Sequence, residues 1–197
     1  MEQNLQALLL FLCSVAFTPG PNNLMIAASG TNYGYWRSFP HMMGVTFGFP
    51  IMLVTMALGL LQIFQNWPIL HTTLRIMGAA YMIYLAYRIA TSTSISKARN
   101  TGQPLNFVEA ALFQWVNPKA VINALSILVI FTTPNGNIIA ETVYLAVITL
   151  LVSFASITTW CLFGTAIGQF LTSARALRIF NLTMAGALVA SIALIFN

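Results

Sequence analysis

Two clusters of helix-breaking and polar residues interrupt long apolar runs in this chain: Pro19-Gly20-Pro21-Asn22-Asn23, and Gln114 with Asn117-Pro118-Lys119. Proline donates no backbone hydrogen bond and displaces the carbonyl four residues back, and glycine pays the largest entropy cost in a helix. The first cluster therefore frees backbone carbonyls, expected at Val15 and Phe17. If the helix restarts after the break, Asn22 or Asn23 is placed to cap it, and the restarted helix aims its positive end at the break. Lys119 supplies a cation beside the second break, Asn117 a donor and an acceptor, and Gln114 and Asn123 further polar groups on the same stretch. Together these groups suit a zwitterion. A lysine and a helix N-terminus hold a carboxylate, and freed carbonyls receive an ammonium.

The surrounding elements are membrane spans. Of 197 residues, 58% are hydrophobic and 6% charged, against roughly 25% charged in a soluble domain. The net charge of +5 falls in short loops, as membrane topology requires, so it is no nucleic-acid footprint. Glu2 stands where a leader peptide would carry basic residues, which reads as a retained first span. Cys13 and Cys161 both lie inside spans and form neither a metal motif nor a disulfide framework. At about 20 apolar residues per span, the sequence predicts six: 5–28, 42–64, 69–90, 107–131, 141–171 and 177–196.

The expected fold is an all-α integral membrane protein of one transporter domain, 1–197. Arg37, then Arg88, Lys97 and Arg99, then Arg175 and Arg178 fall in alternate loops. The positive-inside rule places those loops in the cytoplasm and both termini on the periplasmic side. Arg75 departs from this pattern and can snorkel. Each half, about 1–99 and 100–197, holds three spans, so the halves enter the membrane from opposite sides as an inverted repeat. A shift of about 97 residues superposes Pro21 on Pro118, Ala27 on Ala124 and Ser29 on Ser126. At 1.5 Å per residue, both breaks lie roughly 16–24 Å from their points of entry. That is the middle third of a hydrocarbon core about 30 Å thick. Matching breaks in inverted halves point to a transporter's binding site.

Lys119 lies about 15 Å of helix beyond Glu109, too deep for its roughly 6 Å stem to reach the surface. A lysine at that depth costs about 2.5–3.5 kcal/mol on insertion scales, so it must face a polar interior. Two roles fit: it binds a substrate carboxylate or carries a proton, or it pairs with carbonyls near Phe17 and staples the halves. Glu2, Glu109 and Glu141 all sit near span ends, so a second positive charge would lack a partner. Gly44–Gly48 and Gly164–Gly168 are GxxxG pairs suited to close helix packing. Pro50 is placed to kink the second span. Tyr81, Tyr84 and Tyr87 form a packing stripe, and Trp160 has an indole N–H that a cavity would satisfy.

Phe-Thr-Pro-Gly-Pro-Asn at 17–22, Gly-Ala-Ala-Tyr at 78–81 and Gln-Trp-Val-Asn-Pro-Lys at 114–119 resemble the LysE/RhtB family of bacterial amino-acid exporters. With Asn23, and with Ile89-Ala90-Thr91-Ser92 after the third span, the chain looks most like the cysteine and O-acetylserine exporter branch. The resemblance implies a six-span exporter of the bacterial inner membrane driven by the proton motive force. Many members carry an acid after Pro-Gly-Pro; here Asn22 stands there.

The expected function is export of small neutral amino acids, of cysteine and O-acetylserine or homoserine and threonine type, with protons and the lipid bilayer as partners. Pro19, Gly20, Pro21, Asn22, Asn23, Gln114, Asn117, Pro118, Lys119 and Asn123 form the expected substrate site. No catalytic residue, cofactor or metal is expected, and assembly into a homo-oligomer is left open. With no deep acid, Lys119 itself is the candidate proton carrier. A membrane thiol-electron carrier is the alternative and needs paired cysteines beside the breaks. A non-transporting scaffold gives no reason for costly mid-membrane breaks.

Overall fold

The computed structural model describes residues 2–60, 68–92, 102–133 and 136–192; Lys97 and Arg99 and the side chains of Glu2 and Arg75 lie outside that description. The described residues are helical, with no strand. In order they form α1 (Glu2–Phe17), α2 (Pro21–Tyr33), α3 (Tyr35–Thr55), α4 (Pro68–Ala90), α5 (Phe107–Val116), α6 (Pro118–Phe131), α7 (Ile138–Phe170) and α8 (Ala174–Ala190). A short π-helical turn, Met56–Leu60, follows α3 and ends its regular winding at Gly59.

Both predicted breaks are present. The chain bends by 56° between α1 and α2 and by 70° between α5 and α6. Proline sets the restart each time: Pro21 and Pro118 take the first helical positions of α2 and α6, where the missing N–H costs nothing. The second predicted span begins earlier than expected. Gly34, at φ 81°, turns the chain in a conformation other residues rarely adopt. α3 therefore starts at Tyr35, and Arg37 lies in its first turn instead of in a loop. Among the described residues, Tyr35–Gly59 and α7 are long and apolar enough to cross a membrane. Each bent pair also qualifies if counted as one span. α4 is apolar over Ile76–Ala90.

α2 packs on α7, α3 on α5 and α7, and α4 on α8. The GxxxG pairs make two of these contacts. A Cβ on Gly164 would strike the Ala27 carbonyl, and one on Gly168 would come within 2.8 Å of the Thr31 carbonyl. Gly44 and Gly48 meet α5 at Phe107, Ala110 and Ala111 in the same way.

Two apolar cores result. One joins Met25, Met42, Val45, Met82, Phe113 and Ile157. The other joins Leu8, Leu12, Met52, Ala120, Ile127 and Leu145. Beyond the first core the basic residues gather at one end. Arg37 and Arg88 donate to the Gly102 and Gln103 carbonyls. Asn32, Ser92 and Asn181 tie the ends of α2 and α4 to the middle of α8, one turn past Arg178.

Gly164→Leu should break the α2–α7 contact and lower stability by about 1–3 kcal/mol or more, the usual cost of overpacking. Gly186, whose added Cβ would meet nothing within 4 Å, should tolerate alanine with a gain of up to about 1 kcal/mol. Thermal unfolding in detergent compares the two variants.

Candidate functional site

The breaks meet in a cavity of about 90 Å³ between the two cores, walled by Val45 and Ile157 on one side and by Leu12, Ala120 and Ile127 on the other. Seven of the ten expected site residues line it: Gly20, Asn22, Asn23, Gln114, Asn117, Lys119 and Asn123. Pro19, Pro21 and Pro118 do not. They shape the wall by stopping one helix and starting the next.

The first break is capped differently from the sequence expectation. The N-cap of α2 is Gly20, with no side-chain cap bond, because Pro21 fits the first helical position and moves the start forward. Asn22 and Asn23 thus lie inside the first turn. Asn23 turns back and donates to the carbonyls of Ala16 and Thr18, at 2.8 and 2.9 Å. Ser156 of α7 donates to Ala16 as well. The carbonyls engaged at the break are therefore those of Ala16, Thr18 and Pro19 instead of Val15 and Phe17. Satisfying them in this way lets an irregular backbone persist away from water.

The breaks are stitched to each other twice. Lys119 Nζ donates to the Thr18 carbonyl at 2.6 Å and to the Pro19 carbonyl at 3.4 Å. Asn22 Nδ2 donates to Gln114 Oε1 at 2.8 Å, and Gln114 Nε2 returns a bond to Asn22 Oδ1 at 3.3 Å. Asn22 and Lys119 occupy equivalent second positions of α2 and α6, and each crosses to the residues just before the other's break. A Cβ on Gly20 would lie 2.7 Å from Lys119 Cδ, so glycine there lets the lysine pass over the backbone.

Three features make the cavity receptive. Lys119 is half-buried and holds carbonyls in this state. Its third donor remains to be filled, and an arriving carboxylate is a stronger acceptor than an amide oxygen. The N-termini of α2 and α6 open on the same space with unpaired first-turn N–H groups. Asn117 is 2% exposed, makes no cap bond, and its Oδ1 accepts from nothing; it is an acceptor in waiting for an N–H. Among the described residues, no acid lines the cavity. Glu109 closes a capping box with Asn106 at the start of α5, and Glu141 accepts from the Thr133 N–H at the start of α7.

One wall is absent from the sequence expectation. Thr149, Ser153 and Ser156 of α7 line the cavity. Their spacing of four and three residues marks one helix face in an otherwise apolar run, and that is the signal that could have found them. Trp160 does not line the cavity. It packs against the first core and edge-on to Phe163. Tyr81 stacks with Tyr84 and packs on Phe113. Neither cysteine lines the cavity: Cys161 is buried in the first core and Cys13 is exposed.

Residues 13–197 match the model of a protein family described as LysE type translocator. The Cysteine/O-acetylserine efflux protein of Escherichia coli O1:K1 / APEC is 29% identical over 149 residues, covering 76% of each chain. The protein of that name from Escherichia coli (strain K12) is 28% identical over the same shares. No solved structure matches the chain.

Asn23→Ala should take one of two donors from each of the Ala16 and Thr18 carbonyls and weaken the fold by about 0.5–1.5 kcal/mol, the net worth of a hydrogen bond. A double-mutant cycle with Asn22→Ala and Gln114→Ala should return a coupling of about 0.5–1.5 kcal/mol. Chemical denaturation in detergent measures both.

Proposed function

Because this chain belongs to the LysE type translocator family, we propose that it is a secondary exporter of small neutral amino acids, with cysteine and O-acetylserine as the first substrates to test. The observation that carries the reading is the composition of the mid-bundle cavity: one lysine, two helix N-termini and an unpartnered amide oxygen, without an acid. The substrate carboxylate displaces the Thr18 carbonyl from Lys119 and faces the first turns of α2 and α6. The ammonium finds Asn117 Oδ1 and the carbonyls Lys119 has vacated. The hydroxyls of Thr149, Ser153 and Ser156 suit a short polar side chain. A cationic amino acid would bring a second positive charge with no partner. The efflux proteins similar to this chain are named for substrates of the small, neutral kind.

The transport cycle follows from the same contacts. With the cavity empty, the lysine staples one broken helix to the other. With substrate bound, the staple is exchanged for the ligand, and the two halves are free to rock. Six spans arranged as two inverted three-helix repeats fit this cycle. Support comes from Pro21 and Pro118 in equivalent positions, from the crossed contacts of Asn22 and Lys119, and from the pairing of α3 with α7 and α4 with α8. The gathering of Arg37, Arg88 and Arg178 at one end supports a cytoplasmic face there, in the bacterial inner membrane, and periplasmic termini. Lys119 is the proposed proton carrier of an export driven by the proton gradient.

Inverted membrane vesicles should accumulate labelled O-acetylserine or cysteine under an imposed proton gradient. Lys119→Met should lower that uptake by about ten- to a hundredfold, the worth of a charge-assisted hydrogen bond of 1.5–3 kcal/mol. Retention of full uptake and of its pH dependence would remove Lys119 from the mechanism. Cys13→Ala with Cys161→Ala should leave uptake intact, which a thiol-electron carrier would not allow.

A further inference from the structure

A second cavity, of about 50 Å³, lies between the first core and the basic end, lined by Met25, Ser29, His41, Leu85 and Arg88 among others. His41 is 2% exposed, and neither of its ring nitrogens has a hydrogen-bond partner. A buried imidazole left unpaired is costly, and its placement against an open cavity implies that something there completes it. Arg88 is half-buried, spends one donor on the Gln103 carbonyl and leans over the Tyr84 ring at 5.9 Å. It leaves a positive field on the cavity with no acid lining it.

The two cavities are stacked on shared helix faces. On α2, Asn22 lines the first cavity, and Met25 and Ser29 the second. On α3, Val45 lines the first and His41, one turn away, the second. What separates them is the apolar core containing Met25, Met42, Val45 and Met82. Met25, Met42 and Met82 belong to that core, and their unbranched side chains repack at low cost.

We propose that the second cavity is a separate binding station for the same zwitterionic amino acids, on the basic side of an apolar layer that contains Met25, Met42 and Met82 and gates passage to the first cavity. The Arg88 guanidinium takes the carboxylate, and an imidazole nitrogen of His41 accepts from the ammonium. The proposal rests on the exporter reading above. It adds that substrate entering from the basic face is held once before it meets Lys119.

Inverted vesicles, which expose the cytoplasmic face, test the station through the KM for labelled O-acetylserine. His41→Leu and Arg88→Gln should each raise KM about tenfold or more, the loss of one such contact, and His41→Gln, which keeps an acceptor, should recover part of it. Equilibrium binding to the purified full chain in lipid nanodiscs gives a second readout. Lys119→Met should still bind labelled O-acetylserine, and Lys119→Met with His41→Leu should not. Native KM in both His41→Leu and Arg88→Gln, or loss of all binding in Lys119→Met alone, would mean that the cavity holds water only. Absence of uptake by native vesicles would instead overturn the exporter reading and take the station with it.

Discussion

A lysine ammonium in the middle of an apolar bundle has to be matched by oxygen atoms, and most of this structure follows from how that is done. Lys119 is matched by the carbonyls of Thr18 and Pro19. A continuous helix offers no such carbonyls, because each is spent on the N–H four residues later. The break between α1 and α2 is therefore as much a requirement of Lys119 as of any ligand. Gly20 must be small for the lysine to pass, Pro21 must restart the helix, and Asn23 shares the Thr18 carbonyl with Lys119 and also holds that of Ala16. The second break places Lys119 in the first turn of α6, at the edge of the cavity.

The two apolar cores explain why this polar centre persists. They pack on either side of the cavity, and the GxxxG contacts bring α2 against α7 and α3 against α5. Within that enclosure a hydrogen bond is stronger than in water, and an unpaired polar group is more costly. Lys119 on its carbonyls is satisfied, whereas Asn117 Oδ1 is not. On the proposed reading, this combination leaves the site satisfied when empty and with a partner still to gain from a ligand.

The breaks are legible in the sequence because proline and glycine act locally: Pro21 and Pro118 dictate where a helix begins whatever lies around them. Seven of the ten expected site residues line the cavity for the same reason. The cap of α2 falls two to three residues before the expected asparagines because proline at the first helical position outranks asparagine as a cap, and the two preferences compete for the same few residues. The start of α3 was missed because aromatic and proline residues at 35–40 read as loop, and only the turn at Gly34 separates that helix from α2. Thr149, Ser153 and Ser156 were passed over because their hydroxyls are weak signals in an apolar run, and their meaning depends on which face of α7 meets the breaks. That is decided by long-range packing through Gly164 and Gly168. His41 is the same kind of case, since nothing near it in sequence reveals that both nitrogens would be left without partners.

Charge selectivity of the mid-bundle cavity is the central claim, because it follows from an inventory of one lysine and no acid. Competition for labelled cysteine bound to the purified protein in lipid nanodiscs measures it most directly. Unlabelled O-acetylserine should displace the label and arginine should not. Displacement by arginine as effective as that by O-acetylserine would contradict the account.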